Sequence, residues 1–157
     1  MTAAVDPYAR LAELGLELPP LVPPVAAYVP AVQSGNHVYV SGQVPMVDGK
    51  LAAEGKVGAA VSPEMAKELA RRCALNALAA IDGLVGLGRV IKVVKVVGFV
   101  ASAEGFTGQP QVINGASELF GEVFGEAGRH ARSAIGVAEL PLGAPVEVEV
   151  IVEITEG

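Results

Sequence analysis

The spacing of hydrophobic residues changes several times along the chain, and each regular stretch predicts one element. Alternation of apolar and polar residues, or a short apolar run, predicts five strands. They cover residues 25–32, 37–44, 90–101, 131–138 and 146–154. In the last strand a branched residue at every second position faces one side of the sheet: Val146, Val148, Val150, Val152 and Ile154. The first strand contains Pro30 and is therefore expected at an edge.

Other stretches repeat every three to four residues and predict helices. Ser62, Pro63 and Glu64 suit the cap and first turn of a long helix. Its expected core stripe is Leu69, Cys73, Ala77, Ala80 and Leu84, and glycines 83, 86 and 88 end it. A second helix begins at Pro110 and turns one apolar face inward, formed by Val112, Ala116, Leu119 and Val123. A short helix with a narrow leucine stripe is predicted over 6–17, formed by Leu11, Leu14 and Leu16.

Proline and glycine divide the chain into two parts. The proline-rich segment Pro19–Pro24 is predicted to be a stiff linker, because proline fixes φ. We therefore assign residues 1–22 to an N-terminal extension and residues 23–157 to one domain. Turns are expected at 34–36, 48–49 and 140–143.

Within the domain, the predicted order is ββ-α-β-α-ββ, which is an α+β fold with a mixed sheet. Two helices cover only one face of such a sheet. The other face is rich in valine, and nothing in the chain remains to cover it, so association of subunits is expected.

Composition narrows the classes of function. The chain has 157 residues, 52% of them hydrophobic, and a net charge of −6 without a basic cluster, so nucleic-acid binding is not expected. Its single cysteine cannot form an intrachain disulfide, which fits a reducing compartment. No signal peptide is recognised, and the apolar run 90–101 is too short to span a membrane. These features predict a cytoplasmic protein.

Several residue patterns that could indicate a phosphate, metal or nucleophile site do not meet the physical requirements of such a site. The three glycines follow a helix, whereas a phosphate loop must precede one, so a helix end is favoured. His37 and His130 are expected on the surface, and no metal site is predicted. Ser41 lacks the glycine context of a nucleophile elbow, and Cys73 lies on the predicted core stripe.

The segment from Arg132 to Glu147 carries more chemistry. A guanidinium at the start of an apolar strand needs an anionic partner and can hold a carboxylate through two hydrogen bonds. Glu147 is expected on the polar face of the neighbouring strand, across the turn 140–145. Two interpretations remain open from the residues alone: a substrate site, or a structural ion pair beside a solvated strand face.

Four segments together resemble the reactive-intermediate deaminase family, known as RidA or YjgF. The run from Arg132 to Pro141 (RSAIGVAELP), followed by 146–149, is similar to the family's C-terminal signature. Residues 28–32 resemble its tyrosine strand, and 38–45 (VYVSGQVP) its Ser-Gly-Gln strand. Residues 112–114 with 120–121 are similar to its second helix. The resemblance covers about residues 24–154.

The resemblance implies a chorismate-mutase-like fold and a homotrimer with sites between subunits. It also implies cofactor-free hydrolysis of reactive enamines and imines, such as 2-aminoacrylate, to 2-oxo acids and ammonia. Arg132 would bind the substrate carboxylate and Glu147 would position or activate water. Five further residues would line the pocket or hold the substrate: Tyr28, Ser41, Gly42, Asn114 and Ala134.

The sequence departs from the family pattern at some positions, so alternative functions remain open. Ala134 stands where many members have cysteine, which changes the pocket wall more than the reaction. The N-terminal extension indicates a divergent branch. A trimer that binds a small metabolite without turnover is one alternative. An endoribonuclease or translation inhibitor is another, and the acidic charge argues against it.

Overall fold

The computed structural model describes residues 5–21 and 27–156. Three helices form within these ranges: α1 (Pro7–Glu13), α2 (Pro63–Leu84) and α3 (Gln109–Phe124). Seven strands form as well: β1 (Ala31–Ser34), β2 (His37–Gln43), β3 (Met46–Val47), β4 (Lys50–Leu51), β5 (Val90–Ala101), β6 (Ala131–Val137) and β7 (Val146–Ile154). No helix in the described ranges is both long and apolar enough to cross a membrane.

Five of the strands form one mixed sheet in the order β1-β2-β7-β5-β6. β5 runs parallel to β6, and the other pairings are antiparallel. The predicted order ββ-α-β-α-ββ and the α+β class are confirmed. The two-residue strands β3 and β4 are an addition, joined by the predicted turn at Asp48 and Gly49, both with positive φ. This is the residue pair that suits a tight hairpin.

The long helices α2 and α3 pack together on one face of the sheet, as expected. The predicted β7 stripe faces them, and each of its five residues is at most 1% exposed. Cys73 is also buried in this core. Leu84 was expected in the same stripe but is 44% exposed, because it is the last residue of α2 and lies where the chain leaves the helix.

The other face of the sheet has no helix on it within the described residues. Several of its large apolar side chains are close to half exposed: Val32 at 49%, Tyr39 at 44% and Ile135 at 46%. Their solvent contact agrees with the expectation that this face needs a cover that one copy of the chain does not supply.

Both predicted elements near the N-terminus differ from the structure. The strand expected over 25–32 begins only at Ala31, and its first two residues lie outside the described ranges. The helix expected over 6–17 is limited to Pro7–Glu13, where Asp6 caps its start, and Gly15 follows it with a φ of 69°. The proposed boundary at 22–23, with the second half of the proline-rich linker, also lies outside the described residues.

Helix α1 is attached to the domain by specific contacts. Arg10 Nε donates to the Glu122 carbonyl at 2.9 Å, which joins α1 to α3. The Tyr8 hydroxyl donates to the Asp82 carboxylate at 2.6 Å and accepts from the Leu87 N–H at 3.0 Å. The hydrogen bond to Asp82, followed by burial, raises the pKa of Tyr8. The helical part of the extension is therefore packed on the domain.

We expect Gly115→Ala to destabilise the fold, because Gly115 on α3 lies directly against the backbone of α2. A Cβ at Gly115 would lie 2.0 Å from the Lys67 carbonyl oxygen, and a backbone atom cannot rotate away. Separating the helices should cost about 1–3 kcal/mol, the usual range for overpacking. Urea unfolding at a fixed protein concentration measures the loss.

The matched control is Gly121→Ala on the same helix. A Cβ there would have nothing within 4 Å. Because alanine favours helix over glycine, this change should stabilise the protein by about 0.5–1 kcal/mol. Equal effects of the two variants would contradict the proposed close approach.

Candidate functional site

Arg132 lies on the edge strand β6, on the face of the sheet that the helices cover. Its pairing partner on β5 is Val96, a core residue. Because successive strand residues alternate between faces, Ala134 lies on the same side as Arg132. Both side chains are half-buried. This places the guanidinium between the edge of the sheet and α3.

Two polar side chains of α3 hold the guanidinium. Arg132 Nη1 donates to Asn114 Oδ1 at 2.7 Å and to Ser117 Oγ at 3.2 Å. None of the five ion pairs among described residues includes Arg132. No hydrogen bond in the described ranges uses its Nε or Nη2, which form the edge that binds carboxylates bidentately. That edge is available to a ligand.

Sequence reasoning missed two members of this group, Ser117 and His130. His130 was expected on the surface, but it is half-buried, and its Nε2 lies 2.9 Å from Ser117 Oγ. The spacing of the residues could have revealed Ser117, since it follows Asn114 by one helical turn and therefore lies on the same side of α3. His130 precedes Arg132 by two positions in extended chain. Local patterns do not show, however, that the middle of α3 meets the start of β6.

Glu147 lies on β7, on the face of the sheet that carries no helix among the described residues, called here the helix-free face. Its pairing partner is Phe99 on β5, three residues from Val96 and therefore on the opposite face. Partial burial raises the pKa of Glu147, and the nearby Glu149 carboxylate raises it further. A carboxyl group with a raised pKa exchanges protons near neutral pH more readily than an ordinary one.

The carboxylate of Glu147 lies directly against Gly42. A Cβ at Gly42 would come within 2.2 Å of Glu147 Oε1, so glycine leaves the space that this side chain fills. Gly42 lies in an irregular part of β2, between Val40 and Gln43.

Ser41 joins the segment that contains Tyr28 to this second group. Ser41 Oγ donates to the Val29 carbonyl at 2.7 Å, and Ser41 N donates to the Pro30 carbonyl at 2.8 Å. Tyr28, in coil before β1, is 62% exposed. The Ser41 hydroxyl is therefore engaged by the backbone, whereas the Tyr28 ring is open to a partner or ligand.

The predicted site residues thus form two groups within one chain. Asn114, Arg132 and Ala134 belong to α3 and β6, and the second group is Tyr28, Ser41, Gly42 and Glu147 around β2 and β7. The expectation that Glu147 lies on the strand next to Arg132 is wrong, because β5 is inserted between β6 and β7. Within one copy of the chain Arg132 and Glu147 lie on opposite faces of the sheet and do not contact each other, and the alternative that Arg132 forms a structural ion pair finds no support among the described residues.

We expect Glu147→Gln to raise thermal stability at pH 7 but not at pH 4. The folded state raises the pKa of this carboxyl above its ordinary value of 4.5, so folding favours the protonated form. Stability therefore falls as the pH rises from the ordinary pKa through the raised one, and the neutral amide removes that loss. The carboxylate is half exposed and screened, so the gain should be about 1–3 °C in Tm.

Glu149→Gln is the companion variant, because it removes the neighbouring charge and keeps the Glu147 carboxyl. It should give a smaller gain at pH 7 than Glu147→Gln. If Glu147→Gln instead had a lower Tm at pH 7 than the unsubstituted protein, burial of the charged carboxylate would not destabilise the fold, and the prediction would be wrong.

Comparison with known proteins gives a family model and relatives across most of the chain. The model described as Endoribonuclease L-PSP matches residues 21–154. Protein TCP17 of Trypanosoma cruzi is 45% identical, with 93% of this chain and 92% of that protein covered. A 2-iminobutanoate/2-iminopropanoate deaminase of Dermatophagoides farinae is 35% identical, with 86% and 92% covered.

Solved structures agree on the fold. A protein of Agrobacterium tumefaciens, Atu1372, is 47% identical and superposes with a TM-score of 0.87, covering 94% of this chain and 91% of that one. The YjgF gene product of E. coli is 26% identical with a TM-score of 0.61, covering 83% and 90%. On the family match and these similarities, the chain belongs to the Endoribonuclease L-PSP family, the YjgF/RidA family whose motifs its sequence carries.

Proposed function

We propose that this protein hydrolyses reactive enamines and imines derived from small amino acids, releasing a 2-oxo acid and ammonia. The observation that carries the proposal is the geometry of Arg132, whose Nη1 is held by α3 while Nε and Nη2 bind no described residue. Such an edge matches the carboxylate that every 2-imino acid carries. The similarity to the mite deaminase supports the same substrate class.

The reaction needs an anchor, a proton relay and one water molecule. An enamine tautomerises to its imine, whose carbon is already electrophilic. Water attacks that carbon, a C–O bond forms, and the π electrons of the C=N bond move to nitrogen. The attacking water gives up a proton while the nitrogen gains one, and Glu147 is suited to relay it because its pKa is raised. The new hydroxyl group then passes its proton to the nitrogen, the C–N bond breaks, ammonia leaves and the carbonyl of the 2-oxo acid forms.

We further propose that the protein is a homotrimer in which the two groups of residues meet across an interface. In one copy Arg132 and Glu147 lie on opposite faces of the sheet, with β5 between their strands. The helix-free face also exposes Tyr39 and Ile135, which a second copy would cover. Arg132 of one protomer would then bind the substrate that Glu147 of its neighbour protonates.

A coupled assay tests the activity. A serine or threonine dehydratase produces the enamine in the cuvette, and release of the 2-oxo acid is followed with and without this protein. Faster release that depends on the amount of added protein would support the deaminase proposal. Stabilisation by pyruvate or 2-oxobutanoate without faster release would instead favour the metabolite-binding alternative.

A further inference from the structure

A series of hydrogen bonds leads from Arg132 to the backbone of the turn that follows α3. Arg132 Nη1 donates to Ser117 Oγ at 3.2 Å, and Ser117 Oγ lies 2.9 Å from His130 Nε2. His130 Nδ1 lies 2.6 Å from the Gly128 carbonyl oxygen. The last acceptor is a main-chain atom, so the fold fixes the position of the whole series of hydrogen bonds.

The chemistry of each group gives these hydrogen bonds one direction. A carbonyl oxygen only accepts, so His130 Nδ1 carries the proton that it shares with Gly128. In the neutral ring Nε2 is then an acceptor, and the Ser117 hydroxyl donates to it. The lone pairs of Ser117 are thereby left for the guanidinium. Hydrogen bonds aligned in this way polarise and strengthen one another.

The imidazole is itself held in place. The ring of Phe120 meets His130 edge-on, with centroids 6.1 Å apart and an interplanar angle of 88°. A Cβ at Gly128 would lie 2.3 Å from the Phe120 carbonyl oxygen, so the turn that carries the last acceptor is tightly packed against α3. A rotation of the ring would break contacts on both of its sides.

We propose that Ser117 and His130 are positioning residues that aim Arg132 at the substrate carboxylate. Nη1 donates to both Asn114 Oδ1 and Ser117 Oγ, so the guanidinium is held at two points along α3. With both engaged, rotation of the guanidinium about its own axis is blocked, and the Nε/Nη2 edge keeps one direction. With Asn114 alone, the guanidinium swings about a single hydrogen bond. The inference rests on the proposed function, since it concerns the anchor of the same site.

The test is a set of variants titrated with 2-oxobutanoate, a stable product of the proposed reaction. His130→Ala and Ser117→Ala should each weaken its binding about tenfold, the equivalent of one hydrogen bond of about 1.4 kcal/mol. The double variant should also lose about tenfold rather than a hundredfold, because both residues act through one contact. In the deaminase assay KM should rise more than kcat falls.

Rescue and control variants separate positioning from general damage. Ser117→Thr keeps the hydroxyl and should bind like the unsubstituted protein. Arg129→Ala removes an exposed side chain next to His130, paired only with Glu126 among described residues, and should have no effect. A purely structural role for His130 would lower the Tm without the non-additive loss of binding.

The outcomes distinguish a failure of the proposed deaminase function from a failure of the positioning role of Ser117 and His130. If the unsubstituted protein neither binds 2-oxobutanoate nor speeds 2-oxo acid release, the proposed function fails and this inference fails with it. If it does both, while Ser117→Ala and His130→Ala bind within twofold of it, only the positioning inference is overturned. Additive losses in the double variant would overturn it as well.

Discussion

Arg132→Ala should slow the release of the 2-oxo acid about 100- to 10,000-fold at limiting substrate, because the carboxylate anchor is lost with both of its charge-assisted hydrogen bonds. Each such bond contributes about 1.5–3 kcal/mol, and the two act on one bound carboxylate. The side chain is half-buried at the sheet edge and outside the core, so the fold should persist. Steady-state rates in the dehydratase-coupled assay, with circular dichroism to confirm folding, measure the effect.

Arg132→Lys and Arg129→Ala are the matched variants. Lysine restores a positive charge without the planar edge, so it should recover only part of the lost activity. Arg129 lies three residues earlier, and its side chain is 80% exposed. Its removal should leave the rate unchanged. Half or more of the original activity in Arg132→Ala would show that the carboxylate is bound elsewhere.

Mixing two inactive variants should restore activity if the site lies between subunits. Arg132→Ala damages the group on α3 and β6, whereas Glu147→Gln damages the group on β2 and β7. Each variant alone leaves no complete site. In random mixed trimers, about one quarter of the interfaces join an intact Arg132 to an intact Glu147, so about one quarter of the original activity should return. Co-refolding equal amounts and assaying the product measures this.

The control for mixing combines two variants of the same group. Asn114→Ala and Arg132→Ala both damage the α3 and β6 side, since the two side chains are joined by a 2.7 Å hydrogen bond. Every interface in their mixture lacks part of the anchor, so no complete site forms. No gain in the first mixture, with confirmed exchange of subunits, would place the reaction within one copy of the chain and contradict the proposed interface.

Local patterns in the sequence predict most of the fold. The alternating valines of β7 and the capped start of α2 at Ser62 are confirmed, because burial and hydrogen-bonding needs act over a few residues. The position of β5 between β6 and β7 has no local signature. Strands that follow each other along the chain are often neighbours, and here that tendency gave the wrong neighbour for Glu147.

The candidate site could be predicted only in part for the same reason. The resemblance supplies Arg132 and Glu147, but it does not place them on opposite faces of the sheet. His130 precedes a strand and has no apolar or metal-ligand pattern around it, so its hydrogen bonds to Ser117 and Gly128 depend on tertiary packing. The start of a strand was also predicted inaccurately. The strand expected over 25–32 begins only at Ala31, after Pro30, whose nitrogen has no hydrogen to donate to a neighbouring strand.

The separation of the two groups by the sheet has a consequence for how the activity should scale with the amount of protein. If a working site exists only in the assembly, mass action governs it. Rates would then rise with more than the first power of protein concentration wherever trimers dissociate, and become proportional to concentration once assembly is complete. A newly synthesised chain would be inert until it met its partners. Substitutions on the helix-free face would change specific activity without touching a reacting group.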